Sequence, residues 1–111
     1  MYETRTLSGS ADGLANHLDN VITESISASI EALDELCTGD ARLILRTYER
    51  YSVSGGNRLT LNVAILAVGS DLKVALTTSG GSRAVFFKVN TIGEETFMES
   101  ALAAVDSFAE V

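Results

Sequence analysis

The sequence predicts an α+β fold in two layers: an antiparallel meander sheet of five to six strands packed against an N-terminal and a C-terminal helix. Apolar residues recur at helical spacing near both ends of the chain. Between them, period-two alternation is broken repeatedly by glycine-bearing turns. Short turns between consecutive strands make antiparallel neighbours the default. The element order reads β-α-β-β-β-β-β-α, and the 111 residues form one domain, 1–111.

Residues 2–7 alternate as a short strand, ended by Ser8-Gly9-Ser10. Ser10 suits an N-cap, and Asp12 a first helical turn, where a carboxylate meets the positive end of the dipole. Leu14, Leu18, Val21 and Ile22 then line one helix face. Ile26, Ile30 and Leu33 would also continue that helix. Against this, Ser25, Ser27, Ser29 and Glu31 alternate with Ile26, Ala28, Ile30 and Ala32, and serine hydroxyls compete for backbone groups inside helices. Residues 25–36 therefore read as a strand.

Thr38-Gly39-Asp40 turns the chain into a strand over 41–53. Its odd face carries Leu43, Leu45, Thr47 and Tyr51; its even face carries Arg42, Arg46, Tyr48 and Arg50. Ser54-Gly55-Gly56-Asn57 marks a hairpin, followed by Leu59, Leu61, Val63 and Ile65 on one face. Placing Leu45 and Ile65 together requires paired positions with an even sum, hence a loop of three or five residues. Gly69-Ser70-Asp71 turns into the alternating residues 72–77, and Ser79-Gly80-Gly81-Ser82 into a short aromatic strand over 84–89. Thr91-Ile92-Gly93-Glu94 reads as a capping box that starts the closing helix at Thr91. Phe97, Ala101, Leu102, Val105 and Phe108 line one face of that helix.

Strand, helix, meander and long closing helix is also the element order of the START-like helix-grip fold, whose curved sheet wraps the last helix and often leaves a cavity. The second half of the chain further resembles an uncharacterised family of short bacterial proteins. Tyr48-Glu49-Arg50-Tyr51-Ser52, Gly55-Gly56-Asn57-Arg58 and Thr78-Ser79-Gly80-Gly81-Ser82 carry this resemblance, with Ala84-Val85-Phe86-Phe87-Lys88-Val89-Asn90-Thr91 and Gly93-Glu94-Glu95 ahead of Phe97. It covers residues 25–111 and supports the strand reading of 25–36. It implies no activity, cofactor or substrate.

Composition narrows the function. Lys plus Arg number 8 and Asp plus Glu 15, a net charge of −7. Such a chain repels phosphate backbones and anionic lipid, so no nucleic-acid or membrane partner is expected. No apolar run reaches membrane-spanning length. With Cys37 as the lone cysteine and no basic-then-apolar leader, a cytoplasmic location is expected.

No catalytic set is recognisable, so no enzyme and no cofactor is expected. His17 reads as a boundary or surface residue beside the helix stripe, and Cys37 as a small strand-end hydrophobe. The Gly-Gly pairs read as hairpin turns. Glu94, Glu95 and Glu99 read as a solvated helix face, not a metal site. Arg42, Arg46 and Arg50 invite a phosphate reading, but cross-strand pairing of Arg42 with Glu35 and Arg46 with Glu31 is favoured.

Two functions compete. The first is non-catalytic binding of an apolar or amphipathic small molecule between sheet and C-terminal helix, with Leu45, Tyr51, Leu61, Val63, Phe97 and Phe108 as pocket candidates. The alternative is a homo-oligomeric protein–protein interaction module. It would be a homodimer through an outer sheet face carrying Ile44, Ala64, Leu66 and Ala75, with the arginines as its rim.

Overall fold

The computed structural model describes the backbone at residues 1–52, 57–80 and 87–109, and the side chains at 1–51, 58–80 and 96–109. The elements run β1 (Tyr2–Ser8), α1 (Ala11–Thr23), β2 (Ala28–Thr38), β3 (Ala41–Ser52), β4 (Asn57–Val68), β5 (Asp71–Gly80) and α2 (Phe87–Ala109). The five described strands form one open antiparallel sheet in the order β1-β5-β4-β3-β2. β2 to β5 are a meander, while β1 joins the free edge of β5. The two strands flanking α1 therefore lie on opposite edges, and α1 crosses the sheet between them.

Both helices cover the same face. α1 buries Ala11, Leu14, Ala15, Leu18 and Ile22, and α2 buries Phe97, Met98, Ala101, Ala104 and Val105. Beneath them lie Ile44 and Tyr48 of β3, alternate residues of β4 from Leu59 to Ala67, and Leu72, Val74 and Leu76 of β5. The period of 3.6 in the helices and of 2 in the strands delivers these residues to one layer. α1 starts as expected: Ser10 Oγ accepts the Gly13 amide at 3.0 Å.

The strand reading of 25–36 holds in kind, since β2 occupies Ala28–Thr38. The C-terminal boundary does not. From Phe87 onward the chain is helical, so the aromatic strand over 84–89 is not formed there, and its residues 84–86 lie outside the described ones. Thr91 consequently falls inside α2 and does not begin it.

The β3–β4 register also differs from expectation. Ser52 pairs with Asn57 and Ile44 with Ile65, so paired positions have an odd sum and four residues close the loop. Ile65 thus shares the helix-facing side with Ile44, and Leu45 turns outward opposite Ala64.

Candidate functional site

The register exchanges the two faces of β3. Arg42, Arg46 and Arg50 point toward the helices with Ile44 and Tyr48, while Leu43, Leu45, Thr47 and Tyr51 face outward. On the odd-face reading β3 would offer more hydrocarbon to the core. The even face wins because α1 answers it with charge. Asp12 and Asp19 lie two turns apart on α1, about 10 Å, which suits the ~13 Å between Arg42 and Arg46 on an extended strand.

Arg42 Nη2 donates to Asp12 Oδ1 at 2.8 Å and to Glu35 Oε1 at 3.0 Å. Its guanidinium holds both carboxyl groups below the usual carboxylate range. Arg46 Nε donates to Asp19 Oδ1 at 3.1 Å, and the fully buried Tyr48 hydroxyl donates to the same oxygen at 2.7 Å. Burial, followed by the Asp19 hydrogen bond, pushes the Tyr48 phenol far above its ordinary value. Arg50 lies over the Phe97 ring, 4.7 Å from its centroid, and burial lowers its pKa.

The expected Arg42–Glu35 pair is therefore present, but Arg46 meets Asp19 rather than Glu31. A bulge between Ile30 and Ala32 shifts the β2 register and moves residues 29 and 31 off the face that Glu35 and Cys37 share with the arginines. Glu31 instead accepts from Ser29 Oγ at 2.6 Å. These arginines are structural clamps between layers. They do not rim the outer face.

The remaining chemical candidates resolve in the same way. His17 Nε2 is 3.1 Å from Ser107 Oγ, and its ring is 5.9 Å from that of Phe108, which makes it a packing contact between α1 and α2. Cys37 is exposed, and its thiol donates to Glu35 Oε2 at 3.3 Å. That hydrogen bond is the largest of the effects that raise its pKa, the reverse of what a nucleophile needs. Among the described residues no cluster of His, Cys, Asp and Glu could hold a metal ion. Glu99 is exposed on α2, and the side chains of Glu94 and Glu95 lie outside the described ones.

The pocket candidates separate. Leu61, Val63 and Phe97 are at most 1% exposed and Phe108 packs at the core margin, whereas Leu45 and Tyr51 lie on the opposite side of the sheet. The outer-face candidates divide too. Ala64, Leu66 and Ala75 are outward as expected, but Ile44 is 3% exposed under the helices.

The outer face carries an uncovered apolar area among the described residues. Leu36, Leu66, Val68 and Tyr51 are between 43% and 55% exposed there. Leu66 stands between two shallow grooves. One, of about 310 Å³, is lined by Leu36, Ala41, Leu43 and Leu66. The other, of about 370 Å³, is lined by Tyr2, Thr4, Ala64, Leu66, Lys73 and Ala75. Periodicity alone had named Leu66; Leu43 and Leu45 were hidden by the wrong loop length.

The model of a family of unknown function matches residues 2–109. The chain belongs to that family, DUF6054. No curated protein and no solved structure matches this DUF6054 chain. The family relationship agrees with the expected membership of an uncharacterised family, and the match also takes in β1 and α1. No helix among the described residues is long and apolar enough to cross a membrane.

Proposed function

We propose that this protein is a non-catalytic interaction module that pairs with a second copy of itself across the outer face of its sheet. The observation that carries the reading is the outward placement of Leu43, Leu45, Leu66 and Val68 on a sheet face that no described element covers. Antiparallel sheets with one solvated face normally alternate apolar and polar residues, and here both sides of β3 and β4 are rich in apolar ones.

Area supports self-association. Strands of twelve residues run about 40 Å, and five strands span about 20 Å, so the face offers about 800 Å², one partner's share of a standard interface. Charge weighs against it only mildly. The face carries Lys73 and Arg58 against Glu31, Asp34, Glu49 and Asp71, 2 − 4 = −2, well below the chain's −7, and Arg58 is paired with Glu49.

The small-molecule reading is less well supported, because Phe97, Leu61 and Val63 fill the space between sheet and α2. An exposed free thiol at Cys37 fits a reducing, cytoplasmic setting. Sedimentation velocity tests the proposal. The wild-type protein is expected to sediment as a dimer at micromolar concentration, and Leu66→Lys as a folded monomer. A wild-type monomer at high micromolar concentration overturns the reading.

A further inference from the structure

The outer face changes character along its two central strands. Starting at the Gly39 and Gly69 turns, the first three outward pairs of β3 and β4, from Ala41–Val68 to Leu45–Ala64, are apolar. The next three, from Thr47–Asn62 to Tyr51–Arg58, are polar. The polar half is satisfied within one chain: Thr47 Oγ1 donates to Asn62 Oδ1 at 2.9 Å, and Arg58 Nη1 lies 3.4 Å from Glu49 Oε2. Given the self-association proposed above, on which this inference rests, the asymmetry decides how the second copy sits.

A two-fold axis can stack two such sheets face to face in three ways. With the axis across the strands, the copies run antiparallel, and full overlap lays Leu43 on Glu49 and Val68 on Arg58 of the other copy. Burying those charges against hydrocarbon is costly. Sliding the copies until only the apolar halves overlap avoids that cost but keeps about 400 Å² of each face. A diagonal axis crosses the sheets at right angles and limits the overlap to the square of the sheet width, again about 400 Å². Either remainder totals about 800 Å² over both partners, short of the ~1,200 Å² at which stable interfaces begin.

With the axis along the strands, apolar half meets apolar half over the whole length. An axis on β4 would set Arg58 against its own equivalent, whereas one on the β3–β4 seam sets it against Tyr51 and places Leu43 over Leu66. Four strands then overlap, about 600 Å² per copy, which reaches the stable size. On this axis β2 of one copy faces β5 of the other. Asp34 is level with Leu45, Ala64 and Ala75, and Lys73 stands one outward pair nearer the turns. Both side chains are exposed, and the Glu35 amide occupies only Oδ1 of Asp34.

We propose that two copies stack with their strands running in the same direction, about a two-fold axis along the β3–β4 seam, and that Lys73 of each meets Asp34 of the other. The assembly has four layers, with the two sheets inside, the helices outside and the Gly39 and Gly69 turns of both copies at one end.

Dipolar EPR on the full-length protein tests the alignment. Cys37→Ser removes the native thiol, and nitroxides at Asp40→Cys or Ser70→Cys mark the two turns. Each label is expected within about 30 Å of its equivalent, even at the ~30° crossing of aligned sheets. Antiparallel copies would separate both labels by more than about 40 Å, the length of the strands, and crossed copies would give one short and one long distance. Lys73→Glu should weaken the dimer about tenfold by sedimentation, and adding Asp34→Lys should restore it to within about threefold of wild type. Two long distances, one long with one short, or a double variant no tighter than Lys73→Glu would each overturn the proposal and leave self-association standing. A wild-type monomer at high micromolar concentration would overturn both.

Discussion

Tyr48 is the side chain on which the two layers are keyed. It lies at the centre of β3, fully buried, and its hydroxyl and Arg46 share the Asp19 carboxylate. A hydrogen bond to a charged acceptor contributes more than a neutral one, so Tyr48→Phe should cost about 2 kcal/mol in urea denaturation. Its pH dependence has a definite sign. The phenol is held protonated in the folded state, while the unfolded chain ionises near its ordinary value of 10.0. Stability from this group is therefore complete below pH 10 and falls as pH rises above it. Wild type should lose stability more steeply than Tyr48→Phe across that range, and parallel curves would contradict the assignment. Thr78 is the converse case. It is 3% exposed, and its Oγ1 has no hydrogen-bond partner among the described residues. An isosteric methyl removes that buried hydroxyl, so Thr78→Val should raise stability by about 1 kcal/mol in the same assay.

At the scale of elements, turns set the register and register sets the faces. Two hairpins close with two residues and place a glycine first in the loop, Gly39 at φ +55° and Gly69 at φ +60°, where a type II′ turn requires it. Gly80 differs, since its φ is +117° and an added Cβ would come within 2.5 Å of the Arg58 carbonyl oxygen on the neighbouring strand. Gly39 has open space around the same position. Gly39→Ala should therefore cost about 1 kcal/mol from backbone conformation alone, whereas Gly80→Ala should cost about 3, because the β4 backbone must also move. Equal costs in urea denaturation would show that the close approach at Gly80 is relieved at no expense.

For the whole molecule, the open sheet is the dominant fact. Helices cover one side, and the other keeps Leu66 and Val68 in water in the single chain. If folding is coupled to pairing across that side, stability follows protein concentration by mass action. The midpoint of thermal unfolding should rise by about 3 °C for each tenfold increase in wild-type concentration. It should be independent of concentration for Leu66→Lys. A wild-type midpoint that ignores concentration would speak against the shared face.

Local pattern was enough to specify the element types up to β5, though not the helix from Phe87 onward. The Leu14–Leu18–Ile22 stripe, the capping Ser10, the alternation of β3 to β5 and the glycine turns each depend on neighbours a few residues away, so the α+β class and the antiparallel meander were legible. The candidates Leu61, Val63 and Phe97 for the interior, and Ala64, Leu66 and Ala75 for the exterior, follow from the same periods. Which face of β3 turns inward was not local. Its odd side has the more apolar pattern, and only the pairing of Arg42 and Arg46 with Asp12 and Asp19 of α1, together with the four-residue β3–β4 loop, selects the even side. That choice buries Ile44, turns Leu45 and Tyr51 outward, and makes the arginines interlayer clamps. The addition of β1 to β5 was likewise a tertiary matter, because an edge strand carries no mark of its neighbour, and the helix from Phe87 was not legible because an aromatic run fits a strand or a helix equally.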